Sequence, residues 1–266
     1  MTYANNSVLE FYKTLPFNYR DSVEDHAESI LQKQIGDYYP FLDPYLKSRS
    51  RVLDVGCGSG WFGNTVALHN KCLVEAIDYN PVAIARAQAV SEYLGNWYTI
   101  FLVADLFKYK PLSPADLVVS LGVLHHTNNC IEGVKKLCNE FVAPEGYVFI
   151  GLYHKYGRQP FLDEFKKMKD KGASEEEMYD RYCELDSRFT DETHSRSWFR
   201  DQVLHPHETT HTMEEMTEVL NECGMTVVET SIKEKEETYY DQALEQLKEN
   251  KYCPGFFVFL AQRTSL

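Results

Sequence analysis

The chain has 266 residues with 44% hydrophobic side chains, enough for one large α/β domain with an insertion or two small domains. Its 27 Lys and Arg are outnumbered by 40 Asp and Glu, and a net charge of −13 disfavours the basic surface that a nucleic-acid binder presents to phosphates. Seven cysteines without a C-x-x-C pair exclude a disulfide framework or zinc knuckle, and no signal peptide or apolar run of ~18 residues is present, so free thiols in a cytoplasmic protein without membrane contact are expected.

No linker, low-complexity tract or internal repeat divides the chain. Residues 1–46 read as a helical extension. Its aromatic-rich part, Leu15-Pro16-Phe17-Asn18-Tyr19-Arg20, would fold over a ligand as a lid or pack on the sheet edge, with Tyr19 and Arg20 as candidate contacts. Val52, Leu53 and Val55 form the end of a buried strand. Gly56, Gly58 and Gly60 then let the backbone turn tightly and approach a ligand closely. Residues 61–69 are helix-compatible, so the loop opens a helix N-terminus whose free N–H groups attract negative charge. The second strand, 72–77, ends in Asp78-Tyr79-Asn80, and Pro81 suits the first turn of the next helix. The third, 99–104, ends in Asp105-Leu106. The fourth, 115–121, runs into Gly122-Val123-Leu124-His125-His126, and a helix over 131–141 leads to the fifth strand, 146–152. This alternation favours parallel βαβ units, and 225–231 and 255–261 add two more β-rich runs.

Two readings of the glycine loop compete. Gly58-Ser59-Gly60-Trp61-Phe62-Gly63 matches the dinucleotide fingerprint, with Asp78 where a ribose-binding acid belongs. The longer stretch Asp54-Val55-Gly56-Cys57-Gly58-Ser59-Gly60 places a carboxylate in the strand end. That fits poorly beside a pyrophosphate and well beside a ligand carrying an ammonium and a sulfonium. Here the chain resembles the class I S-adenosylmethionine (SAM) dependent methyltransferases, whose first motif has the form D-x-G-x-G-x-G. Further motifs follow in order over 49–152 and 212–262, whereas a nicotinamide reading explains the first alone.

The resemblance implies an α/β fold: a seven-stranded, mostly parallel, doubly wound Rossmann-like sheet, with SAM as cofactor and S-adenosylhomocysteine (SAH) as product. It also implies site residues. Gly56, Cys57, Gly58 and Gly60 would hold the methionine and ribose by backbone approach, and Asp54 would orient the amino-acid end. Asp78 with Tyr79 would take the ribose, Asp105 and the Leu106 amide the adenine. Ser120, Leu121 and Gly122 would line the floor.

The interval 154–211 is far longer than the ~2–6 residues of an ordinary connection and carries helices over 160–171 and 174–185. His205-Pro206-His207-Glu208 and His211 invite a metal reading, but their spacing matches no zinc signature, and no metal is expected. Methyl transfer to a hydroxyl or ammonium needs a proton acceptor. His154, His205 and His207 are the candidate bases, with His125 and His126 shaping the methionine end. Tyr153, Lys155, Tyr156 and Arg158, with Arg196, Trp198 and Arg200, place aromatics beside cations. Of these, Tyr153, Trp198 and Arg200 are candidate acceptor contacts.

The expectation is a single methyltransferase domain: 1–46 a lid, 47–153 the SAM-binding core, 154–211 a substrate lid and 212–266 the rest of the core. Its acceptor would be a small polar molecule, anionic or sugar-like, with no nucleic acid partner. The helical extension and lid would also suit a homodimer contact. Alternatives are a methyltransferase acting on protein or RNA, a nicotinamide oxidoreductase, and a non-catalytic SAM-binding module.

Overall fold

The computed structural model describes residues 5–189 and 191–264. Seven strands, β1 (Arg51–Val55), β2 (Leu73–Asp78), β3 (Thr99–Val103), β4 (Ala115–Leu121), β5 (Val142–Tyr153), β6 (Met225–Thr230) and β7 (Phe256–Arg263), form one sheet. Their order is β3-β2-β1-β4-β5-β7-β6. The first five run parallel, and β7 inserts antiparallel between β5 and β6. This is the expected doubly wound α/β sheet.

The central strands are apolar on both faces because helices cover both. Side chains alternate across the pleat, so Val52, Leu117 and Val119 face one core while Leu53, Val55 and Val118 face the other. The first core includes Phe62, Val66 and Ala67 of α3 (Trp61–Asn70) and Ile84 and Ala87 of α4 (Pro81–Tyr93). The second includes Val134 of α5 (Cys130–Lys136) and Met216, Val219 and Leu220 of α9 (Met213–Glu222).

Two helices precede the sheet. α1 (Asn6–Thr14) is capped by the Asn5 side chain, and α2 (Val23–Gln32) buries Ala27 and Ile30 against Val90. The insertion after β5 folds as α6 (Lys155–Asp170), α7 (Glu175–Leu185) and α8 (Glu192–Val203). Phe161, Phe165, Tyr182 and Phe199 give it a core of its own, which Leu247 of α10 (Thr238–Lys248) joins. The sequence reading found neither α8 nor α10; the former begins at a capping Asp191 and is polar along most of its length. No helix among the described residues is long and apolar enough to cross a membrane. All seven cysteines are free, four of them buried.

Candidate active site

The chain crosses over between β1 and β4, and helices diverge there to opposite faces of the sheet. A crevice opens at the carboxyl ends of these strands, the usual ligand position in such folds. Its floor is made by the glycine loop, Ile77 to Asn80, Ala104 to Phe107 and Leu121 to Val123. Its roof is α1 (Val8, Leu9, Tyr12) with Pro16 and Phe17, and Asp201 of α8 closes one side. The space between them, counting the part that opens to solvent, is about 960 Å³.

The glycine loop is positioned by β2, with Gly56 N–H and Cys57 N–H both donating to the Ile77 carbonyl at 2.8 and 3.0 Å. Gly56, Gly58 and Gly60 all have left-handed φ, at 75°, 53° and 83°. A Cβ on Gly56 would lie 2.3 Å from the Val123 side chain, whereas one on Gly58 would meet nothing within 4 Å. The loop is thus packed against the fourth motif at one glycine and open to the cavity at the next.

Asp78 accepts from Gly58 N–H and Asn80 N–H, both at 2.8 Å. Burial raises its carboxyl above the usual range, while these backbone donors pull the other way. Asp105 accepts from Phe107 N–H at 3.0 Å and pairs with Lys108 at 3.1 Å. Both acids line the cavity, as do Tyr79, Leu106, Leu121 and Gly122. Asp54, Cys57, Gly60 and Ser120 do not. Asp54 lies behind the loop and accepts from Gly63 N–H at 3.1 Å; burial pushes its carboxyl up to about 7. The Ser120 hydroxyl is buried with no hydrogen-bond partner among the described residues.

The lid end is held by a cluster of side chains, of which sequence reasoning missed Tyr12, Asp201 and Gln202. Tyr12 donates to Asp201 Oδ1. Tyr153 donates to Asp201 Oδ2 at 3.2 Å, and Gln202 Nε2 donates to the same oxygen at 2.7 Å. His126 Nε2 lies 3.8 Å from Asp201 Oδ1. The His126 ring stacks on His205 at 3.6 Å, and His125 stacks on Tyr153 at 4.2 Å. Burial drives His126 and His205 down to about 3, so both rings are neutral. The dispersed positions of Tyr12 and Asp201, on elements 189 residues apart, left no local signal.

Several expectations need correction. His154 is outside the cavity: it caps α6 by accepting from Gly157 N–H at 3.1 Å, and its Nε2 meets Glu236 at 2.8 Å. His207 is likewise committed to packing, with Nε2 bonded to the Thr127 carbonyl at 3.0 Å. His205 reaches the site through its stack on His126, and its Nε2 is buried without a partner among the described residues. Tyr19 stacks under Arg86, and Arg20 accepts from that same arginine through its carbonyl. Trp198 bonds Asn18 at 3.2 Å, while Arg200 clasps Thr14 at 2.8 Å and tethers α1.

The cations that pointed to an anionic acceptor are also engaged elsewhere. Arg158 is fully buried and forked onto Glu208 at 3.0 and 2.9 Å, and Arg196 pairs with Glu176 and Glu192. Among the described residues lining the cavity, none is Lys or Arg.

A family model described as a methyltransferase domain matches residues 27–230. Among curated relatives, the tRNA U34 carboxymethyltransferase of Shewanella frigidimarina is 34% identical over 98 residues, covering 36% of this chain and 29% of the relative. Its counterpart from Pasteurella multocida is 33% identical over 104 residues, covering 39% and 32%. The chain thus spans less than a third of the length of these relatives. Among solved structures, magnesium protoporphyrin IX methyltransferase from Synechocystis PCC 6803 with bound SAM aligns at a TM-score of 0.55 and 12% identity, over 97% of this chain and 96% of that one. PKMT2 from Rickettsia typhi in complex with AdoHcy aligns at 0.60 and 12% identity, over 82% and 49%. At such identities the likeness shows the fold, and it sets aside the nicotinamide reading of the glycine loop together with the family match. The chain belongs to the methyltransferase-domain family and has the fold of the class I SAM-dependent methyltransferases.

Proposed function

We propose that this methyltransferase modifies a small polar acceptor that enters the lidded cavity beside Asp201, Tyr12 and His126. The observation that carries the reading is the roof itself: α1 and α8 close over the carboxyl ends of the strands and are latched to each other through Tyr12 and Asp201. When bound, SAM supplies a methyl group already activated by the positive charge on its sulfur. In this reading Gly56 and Gly58 admit the methionine and ribose by close backbone approach, Asp78 takes the ribose and Asp105 the adenine. Leu121 and Gly122 form the floor. The α1 helix with Pro16 and Phe17, and α8, act as the lids that exclude water and align the acceptor, the main source of acceleration in such a displacement. Asp201 lines the open space as a proton acceptor, and His126 stays neutral beside it.

A second reading is favoured by the names of the curated relatives, which point to RNA rather than to a small metabolite. Against it stand the net charge of −13 and a cavity without lysine or arginine in its lining among the described residues. Labelled-methyl transfer separates the two. The protein is incubated with labelled SAM and either unmodified bulk tRNA or a metabolite extract freed of macromolecules. Label in the small-molecule fraction supports the first reading. Label in tRNA overturns it and establishes the second.

A further inference from the structure

We infer that the acceptor is an amine, held as its ammonium against Asp201. The inference deepens the preceding one and rests on the cavity being the transfer site for a small molecule. Three carboxylates line the space, Asp78, Asp105 and Asp201. Asp78 has two backbone donors, and Asp105 has one together with Lys108. Asp201 differs: it is 5% exposed, and its three hydrogen-bond donors, Tyr12, Tyr153 and Gln202, are all uncharged.

Nearby positive charge is already committed. The Arg158 guanidinium lies 3.9 Å over the Tyr153 ring, but Glu208 takes it in a two-pronged pair and Gln202 binds it at 3.1 and 2.7 Å. His126 and His205 are neutral. A buried carboxylate without a cation is costly, and a ligand that brings the cation offsets that cost. The Tyr12, Phe17 and Phe107 side chains that share the lining add aromatic surface, which also attracts ammonium groups. A carboxylate-bearing acceptor would meet Asp201 with no cation of its own to offer, and burial already raises the Asp201 carboxyl above the usual range.

The proton balance is simple. The ammonium gives its proton to Asp201 and thereby frees the nitrogen lone pair. The new N–CH₃ bond forms as the methyl–sulfur bond breaks, with that electron pair left on sulfur. Asp201 then returns the proton to water.

The test uses the full chain loaded with SAH, whose sulfur is neutral, and two matched series: butylamine, butanol and butyrate; phenethylamine, phenylethanol and phenylacetate. Binding is read by ligand-observed NMR and calorimetry, and methyl transfer by labelled SAM. In each series the amine should bind at least ~10-fold more tightly than the carboxylate and be the member methylated. Asp201→Asn should erase that order while SAH affinity stays within a few-fold. Equal or reversed order, no amine binding, or an amine preference that survives Asp201→Asn overturns the inference. Should Asp201→Asn fail to fold, the wild-type series decides alone. Failure of SAH to bind would instead refute the reading of the cavity as a SAM site.

Discussion

Two glycines two residues apart make opposite predictions about stability and binding. Gly56 and Gly58 both have left-handed φ, at 75° and 53°, so alanine at either carries a conformational cost of about 1–2 kcal/mol. At Gly56 the new methyl would lie 2.3 and 2.5 Å from the two γ carbons of Val123, and such overpacking adds about 1–3 kcal/mol. At Gly58 it would meet no atom within 4 Å, because it projects into open space beside the cavity that Gly58 lines. Gly56→Ala should therefore lose about 2–5 kcal/mol and Gly58→Ala about 1–2. At roughly 2–4 °C per kcal/mol for a chain of this size, thermal unfolding separates the two by several degrees. Calorimetric titration with SAH should rank them the other way for direct effect on the ligand, with Gly58→Ala weakening binding by ~10-fold or more although it is the more stable of the two variants. The reasoning fails if Gly58→Ala proves the less stable variant, or if it binds SAH with wild-type affinity.

Three further outcomes follow from the same geometry. The Asp54 carboxyl is raised from 3.8 to about 7 by burial, so the folded chain keeps a proton that the unfolded chain has lost, and this group lowers stability as pH climbs from about 4 through 7. At ~1.4 kcal/mol per pH unit the upper bound is ~4 kcal/mol; Asp54→Asn, which can still accept from Gly63, should flatten the melting temperature between about pH 5 and pH 8, and an unchanged profile refutes the assignment. Arg158→Met leaves Glu208 unpaired beside a buried site and should cost about 3–5 kcal/mol by denaturant unfolding, with a loss under ~1 kcal/mol as the contrary result. His154→Ala removes the α6 cap and the Glu236 contact, so it should lower stability by about 1 kcal/mol yet leave turnover within a few-fold; a ~10²-fold loss of turnover in a folded variant would restore His154 as the base.

How far the chain could be read follows from which signals are local. The second and third strands are short apolar runs followed by an acid whose position is fixed by the backbone: Asp78 by the N–H groups of Gly58 and Asn80, and Asp105 by that of Phe107. Gly56, Gly58 and Gly60 turn in the left-handed region, so their identity already states their geometry. The acceptor side offers no such signal. Tyr12 and Asp201 are unremarkable members of two polar helices, and their pairing exists only because α1 folds across the sheet onto α8. Number and proximity to strand ends point to the histidines, but a ring's availability depends on what its nitrogens already bond, and His154 and His207 are taken up by Glu236, Gly157 and Thr127. In the sequence an arginine reads as a charge free for a ligand, yet Arg158 meets Glu208, fifty residues on. A sequence gives the sign of each side chain, while the sign of a cavity is what remains after pairing. Here pairing takes up the cations and leaves Asp201 among uncharged donors, and that remainder is why the proposed acceptor is an amine where the sequence points to an anion.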